Sequence, residues 1–274
     1  MRTFAKKELH MRRVPPQELG DLILDTISLH AGSPDPFFGI AYTLDIGPCL
    51  ELAQQASERF NRKITFTHVL NKVLALAINE NRVFNRIVLG RHVYEMEGIS
   101  ISNNFMLPGR ELAVTSIILE NPHLKTLADI QGELILKMVE ATRKNSLPKK
   151  RLLQLAQRLF FQLRLYCLIP EKMAYEVGFR NGIVSNIVLS HHDYGDRSNF
   201  VFIKPLIWRT KLPIRIHTSV VGKQPYVAAD GALSSRETMH LNLFGDHRIA
   251  YGINAFRLGQ SLERICAEPG KYLL

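Results

Sequence analysis

The sequence predicts an α/β layered domain built on a mixed sheet. Three observations carry this expectation. Segments with helical and with strand periodicity alternate along the 274 residues, but without strict βαβ regularity. No internal repeat, low-complexity tract or Pro/Gly/Ser-rich linker divides the chain, so residues 1–274 read as one domain. Hydrophobic residues make up 46% and charged residues 22%, enough apolar material for a full core and unlike a disordered chain.

Each element has its own local justification. Pro15-Pro16 precede a predicted helix over Gln17 to His30, whose Leu19, Leu22, Ile23 and Ile27 recur at helical spacing. Phe37 to Leu44 reads as a strand ended by Asp45-Ile46-Gly47-Pro48. Leu50 to Phe60 and Phe66 to Ile78 read as helices, the second apolar enough to be largely buried. Arg86 to Leu89 and His92 to Met96, split by Gly90-Arg91, form a hairpin pattern. Ile99 to Ser102 alternates as a half-buried strand does, and Leu112 to Leu119 follows the Pro108-Gly109 turn.

Leu124 to Val139 is a long amphipathic pattern, and Lys149 to Cys167 is a second. Gly182 to Leu189, Ile214 to Val221 and Met239 to Phe244 complete the predicted strands. Ile253 to Cys266 is the last predicted helix, stopped by Pro269-Gly270.

Composition narrows the function classes. The longest apolar run, Val73 to Ile78, is far too short to cross a bilayer, and the first residues lack the apolar stretch of a secretory signal. A cytoplasmic protein is the expectation. Cys49, Cys167 and Cys266 are few and widely spaced, which offers no disulfide framework or zinc pattern. Cys49 and Cys266 fall on predicted helices and read as buried, inert thiols.

The net charge of +10 attracts anionic partners such as nucleic acid, membrane surfaces or phosphorylated cofactors. It concentrates in Arg143 to Lys172, but no nucleic-acid module accompanies it. For Lys149 to Arg164 the expected arrangement buries the Leu/Phe face and leaves the charges in water. Contact with an anionic membrane surface or with coenzyme A phosphates is the functional alternative. His191-His192-Asp193, with His217 and His240, do not display zinc-ligand spacing, so no metal is expected.

The sharpest chemical signal is Asp246-His247-Arg248-Ile249-Ala250-Tyr251-Gly252, between an alternating strand and an amphipathic helix. A histidine on a strand-to-helix loop suits a general base, because imidazole titrates where a thiol or hydroxyl must lose its proton. The neighbouring glycine suits a close approach by a ligand or a second backbone.

This loop closely resembles the D-H-R-x-x-D-G signature of the dihydrolipoamide acyltransferases, the core subunits of 2-oxo acid dehydrogenase complexes. The likeness extends along the chain. Pro36 to Ile46 resembles the family's first core strand, Phe66 to Ala77 its buried helix, and Arg82-Val83-Phe84-Asn85 the stretch after it. Gly182-Ile183-Val184-Ser185-Asn186 is similar to its G-x-x-x-S-N segment, and Lys223 to Val227 to the strand before the final motif.

The resemblance implies an α/β two-layer sandwich with a mixed sheet, the chloramphenicol acetyltransferase-like fold of coenzyme-A-dependent acyltransferases. It implies a homotrimer, or a larger assembly of trimers, with active sites at subunit interfaces, and coenzyme A or acyl-coenzyme A as substrate. Carried over residue by residue, His247 is the base and Ser185 the oxyanion donor. Asp246 and Arg248 match the flanking structural charges, and with Gly252 and Asn186 they are expected to border the substrate.

Several positions depart from the family pattern. Tyr251 stands where the family has aspartate or asparagine, and is assigned to the catalytic group as the residue that changes its chemistry. Phe244-Gly245 replaces a small polar and aromatic pair, and Val188 stands where the serine segment has glycine. The sequence shows no lipoyl or peripheral-subunit-binding domain. The expected function is therefore a stand-alone acyltransferase that moves an acyl group from a thioester to a thiol, amine or hydroxyl. The alternative is a catalytically impaired homologue serving as an oligomeric scaffold or binding module.

Overall fold

The structure, a computed structural model, describes residues 11–19, 37–90, 92–106, 114–146, 187–191, 214–219 and 221–274. Its ten strands among those residues are β1 (Met11–Arg13), β2 (Phe37–Asp45), β3 (Arg86–Leu89), β4 (His92–Met96), β5 (Ser100–Met106), β6 (Val114–Glu120), β7 (Ile187–His191), β8 (Ile214–Thr218), β9 (Gly222–Val227) and β10 (Leu233–Asp246). Its α-helices are α1 (Gly47–Phe60), α2 (Phe66–Glu80), α3 (Leu127–Ser146), α4 (Gly252–Ala267) and α5 (Pro269–Leu273).

The main sheet runs β2-β10-β8-β7-β5-β6, with β9 paired to the first half of β10. β7 lies parallel to both β5 and β8, and the other pairs are antiparallel, so the sheet is mixed as the sequence predicts. A separate three-stranded sheet, β1-β4-β3, sits on its own small cluster of Ile87, Leu89 and Met96.

Strand alternation decides which face of the main sheet the helices cover. On β10, Met239, Leu241 and Leu243 are buried in one cluster with Leu44, Ile214, Ile216 and the apolar faces of α1, α2 and α4. Each fully buried side chain of this size contributes about 1.5–3 kcal/mol, so this face anchors the strand that leads to the His247 loop. In α1, Cys49, Leu52, Ala53 and Ala56 are the buried stripe at i, i+3, i+4, i+7. Asn61, at φ 46°, closes that helix from the left-handed region.

α2 is buried nearly all round, and its polar residues are consequently paired. Asn71 and Asn103 exchange two amide hydrogen bonds of 2.9 Å, and the Lys72 ammonium donates to the carbonyl of Leu273 at 2.8 Å. The Thr65 N–H donates to His68 Nδ1 at 2.8 Å, the role that Glu or Gln fills in the usual capping box. α4 lies close on β2: a Cβ at Gly259 would fall 2.6 Å from Tyr42 Cε1. The Tyr42 hydroxyl donates to the Ala255 carbonyl at 2.7 Å, and burial pushes its pKa up to about 12.

Several boundaries differ from the sequence reading. Within the described residues, Pro16–Glu18 form a 3-10 turn, and the rest of the helix predicted over Gln17 to His30 lies outside them. Met11–Arg13 form a strand that was too short to read alone and is held by pairing with β4. β10 begins at Leu233 instead of Met239, because its polar first half pairs with β9. The last predicted helix ends at Ala267, before the Pro269-Gly270 stop, and Pro269 then opens a further short helix, since Pro is accommodated in a first helical turn. The basic segment Lys149 to Arg164, the predicted helix to Cys167, and Cys167 itself lie outside the described residues.

Candidate active site

The His247 loop is built by the end of β10 and the start of α4. Asp246 is the last residue of β10, level with Phe37 of β2 and only 4% exposed. Its carboxylate is clasped by Arg248. Nε donates to Oδ1 at 2.9 Å, Nη2 to Oδ2 at 2.6 Å, and the Arg248 backbone N–H to Oδ1 at 2.9 Å. Bidentate, charge-assisted contacts of this kind fix geometry as well as adding energy. A turn follows, with the Ile249 N–H donating to the Asp246 carbonyl at 3.0 Å, and Ile249 and Ala250 plug into the core.

Tyr251 is extended and caps α4. Asn254 Oδ1 accepts from the Tyr251 N–H at 2.9 Å, and the Tyr251 carbonyl accepts from the N–H groups of Asn254 and Ala255. The capping fixes Tyr251 four residues beyond His247, where its ring meets the imidazole edge-on at 4.9 Å between centroids.

Phe38, from β2, also meets His247 edge-on, at 5.5 Å. Gly245 permits this contact: a Cβ there would lie 2.8 Å from Phe38 Cζ, closer than carbon atoms pack. The half-buried imidazole is thus held by two aromatic rings, and its Nδ1 is buried without a hydrogen-bond partner. An orphaned buried ring nitrogen is uncommon in a purely structural histidine.

Gly252, the first residue of α4, is exposed, and among the described residues a Cβ there would meet nothing within 4 Å beyond its own helix and chain neighbours. Ser185 and Asn186 lie outside the described residues. The strand that follows them is described, and its first residue, Ile187, pairs with Ile214 of β8, which pairs with Gly245. The start of β7 and the end of β10 therefore share one end of the sheet, two strand spacings or about 10 Å apart.

The sheet face away from the helices carries polar residues, of which the sequence reading weighed only His217, and that as a possible metal ligand. Ser102, Val188, Arg215 and Phe244 form one cross-strand row, and His217 and Asn242 stand paired in the next. Ser102 Oγ and Asn242 Nδ2 are buried and unbonded, the His217 ring meets Phe244 at 5.9 Å, and burial lowers the pKa of Arg215. The alternation Ile214-Arg215-Ile216-His217 reads as a solvent face in sequence, and only the burial of this row marks it otherwise.

Other candidates sort quickly. His240 has both ring nitrogens engaged, with Thr43 Oγ1 at 2.9 Å and Gln224 Nε2 at 3.1 Å. Among the described residues no cluster of His, Cys, Asp and Glu is arranged to hold a metal. No helix among them is long and apolar enough to cross a membrane. Cys49 and Cys266 are buried side by side, the Cys49 thiol pointing at the Cys266 carbonyl at 3.8 Å. The contact with Cys49, together with burial, pushes the Cys266 thiol well above its usual range, which makes it a poor nucleophile.

Comparison with known proteins places the fold. No protein-family model matches the sequence, and no curated protein matches it. Solved structures do. A dihydrolipoamide acetyltransferase of Azotobacter vinelandii matches at a TM-score of 0.63 and 18% identity, over 96% of this chain and 94% of that one. A serine, a histidine and an asparagine have been investigated for their role in that enzyme's catalytic mechanism.

The cubic core of a pyruvate dehydrogenase multienzyme complex matches with the same TM-score of 0.63, identity of 18% and coverage of 96% and 94%. Chloramphenicol acetyltransferase matches at 0.55 and 11% identity, over 93% of this chain and all of that one. The chain therefore has the α/β acyltransferase fold that its motifs resemble.

Proposed function

We propose that this protein is an acyltransferase that uses coenzyme A thioesters, with His247 as its general base. The observation that carries the reading is the His247 imidazole itself. It sits at the sheet-to-helix loop of an acyltransferase fold, wedged by Phe38 and Tyr251, with the loop clasped by the buried Asp246–Arg248 pair.

The chemistry follows from that arrangement. With Nδ1 sealed off, Nε2 is the ring nitrogen that takes the proton of an acceptor thiol, amine or hydroxyl. The freed lone pair attacks the thioester carbonyl carbon, and the carbonyl π electrons move onto oxygen. Ser185 is assigned as the hydroxyl that donates to this oxyanion. As the intermediate collapses the carbon–sulfur bond breaks, and the leaving thiolate recovers the proton from His247. Asp246 and Arg248 position the loop. Gly252 and Asn186 border the substrate.

Tyr251 takes the place of the family's carboxylate or amide. It supplies a ring that buttresses the imidazole and a hydroxyl able to donate or accept a hydrogen bond. The cubic core that shares this fold supports an oligomeric assembly, and a homotrimer, or trimers of a larger assembly, is the working form we assign.

The test is turnover of acetyl- and longer-chain acyl-coenzyme A with dihydrolipoamide and with amine and hydroxyl acceptors, in wild type and Tyr251→Asp. Activity that Tyr251→Asp leaves unchanged or lowers fits a site rebuilt around tyrosine. Absence of both turnover and coenzyme A binding across the panel overturns the proposal and leaves the scaffold reading.

A further inference from the structure

A cavity lies apart from the His247 loop, between the C-terminal end of α1, the middle of α2, the Pro122–Leu124 turn and the last residues of α5. It encloses about 270 Å³, near the lower end of small-ligand pockets at roughly 300 Å³. None of its lining residues belongs to the Asp246 to Gly252 loop.

Its walls combine cations with apolar surface. Lys72 is only 8% exposed, and its ammonium makes one hydrogen bond, to the Leu273 carbonyl, and no ion pair among the described residues. An ammonium has three donors, and a buried one without an anion is costly. Asp129 acts on it electrostatically, but that carboxylate is itself exposed and hydrogen-bonded to Thr126. His123 lines the same wall, and its Nδ1 is buried with no partner. Arg59 stands over the Phe60 ring at 5.5 Å and forms no ion pair among the described residues. Leu124, 77% exposed, and Leu127 supply the apolar remainder with Phe60.

We propose that this cavity binds a medium-chain monocarboxylate, with its carboxylate on Lys72, His123 and Arg59 and its alkyl chain on Phe60, Leu124 and Leu127. A single negative charge matches one buried ammonium and one orphaned imidazole nitrogen, whereas a bare phosphate would leave the apolar walls uncovered. The inference does not depend on acyl transfer, and its readout is binding alone.

The test is calorimetric titration of the full chain with octanoate, octanol and inorganic phosphate. Octanoate is expected to fill one site, octanol to bind at least about tenfold more weakly, and phosphate not to bind there. Lys72→Met removes the ammonium while keeping the side-chain length, and lowers octanoate affinity at least about tenfold. Leu124→Trp, at an exposed position that does not threaten folding, fills the cavity while leaving Lys72 in place, and also abolishes binding. Octanol binding as tightly as octanoate, phosphate binding at this site, or octanoate affinity retained in either variant overturns the proposal.

Discussion

Replacing Arg248 with Met isolates the clasp that holds the His247 loop. In the native structure the Asp246 and Arg248 side chains are 6% and 11% exposed. The Asp246 carboxylate accepts three side-chain contacts from the guanidinium, two from Nε and one from Nη2, together with the Arg248 backbone N–H. Arg248→Met removes the three side-chain contacts, leaving Oδ1 with the backbone N–H alone and Oδ2 with nothing among the described residues. Breaking a buried pair from one side costs about 3–5 kcal/mol, because a buried charge is left uncompensated.

In a chain of this size each kcal/mol lowers the melting temperature by about 2–4 °C, so a fall of roughly 6–20 °C is expected. Asp246→Asn combined with Arg248→Met removes both charges and should recover most of the loss. Urea and thermal unfolding of the wild type, both single variants and the double variant measure the cycle. A loss below about 1 kcal/mol in Arg248→Met, the range of exposed pairs, would refute the buried clasp.

Two further predictions test the core and the aromatic wedge. Burial holds the His68 and His123 imidazoles below their usual range, so the unfolded chain binds more protons below about pH 6.5. Stability should therefore fall as pH drops through and below 6.5 and level off below the folded pKa values. His68→Gln, which keeps an acceptor for the Thr65 N–H, should flatten that fall in melts run between pH 7.5 and 5, and an unchanged slope contradicts it. Gly245→Ala drives a Cβ to 2.8 Å from Phe38 Cζ, which should cost about 1–3 kcal/mol and displace the ring edge from His247. The His247 Hε1 resonance should move with it, and an unmoved resonance with unchanged stability argues against the wedge.

Much of the fold is legible in local periodicity, and the exceptions share a cause. α2 is apolar around its whole circumference, so its burial can be read directly, down to Val69, Val73 and Ile78. The first half of β10, Leu233 to Thr238, is mostly polar and exposed and carries no apolar pattern. It is a strand because β9 lies beside it, information that no single segment contains.

The site divides the same way. The Asp246 to Gly252 loop is contiguous and therefore visible in sequence, including the tyrosine at its sixth position. Phe38 is over two hundred residues away from His247 and reads as an ordinary inward strand residue. Its role depends on the absence of a side chain at Gly245, which sequence records only as a departure from the family pattern. Asn242 and Ser102 alternate as solvent-facing residues do, yet they are 3% and 0% exposed. Burial imposed by the rest of the molecule, not local chemistry, makes them notable.

The most direct test of His247 as a general base is the rate of acyl transfer from acyl-coenzyme A, measured for wild type and His247→Ala across pH 5–9. Wild-type transfer is expected, with a fall of about 10²–10⁴-fold in His247→Ala while coenzyme A still binds. A His247→Ala enzyme that transfers acyl groups at the wild-type rate would contradict it.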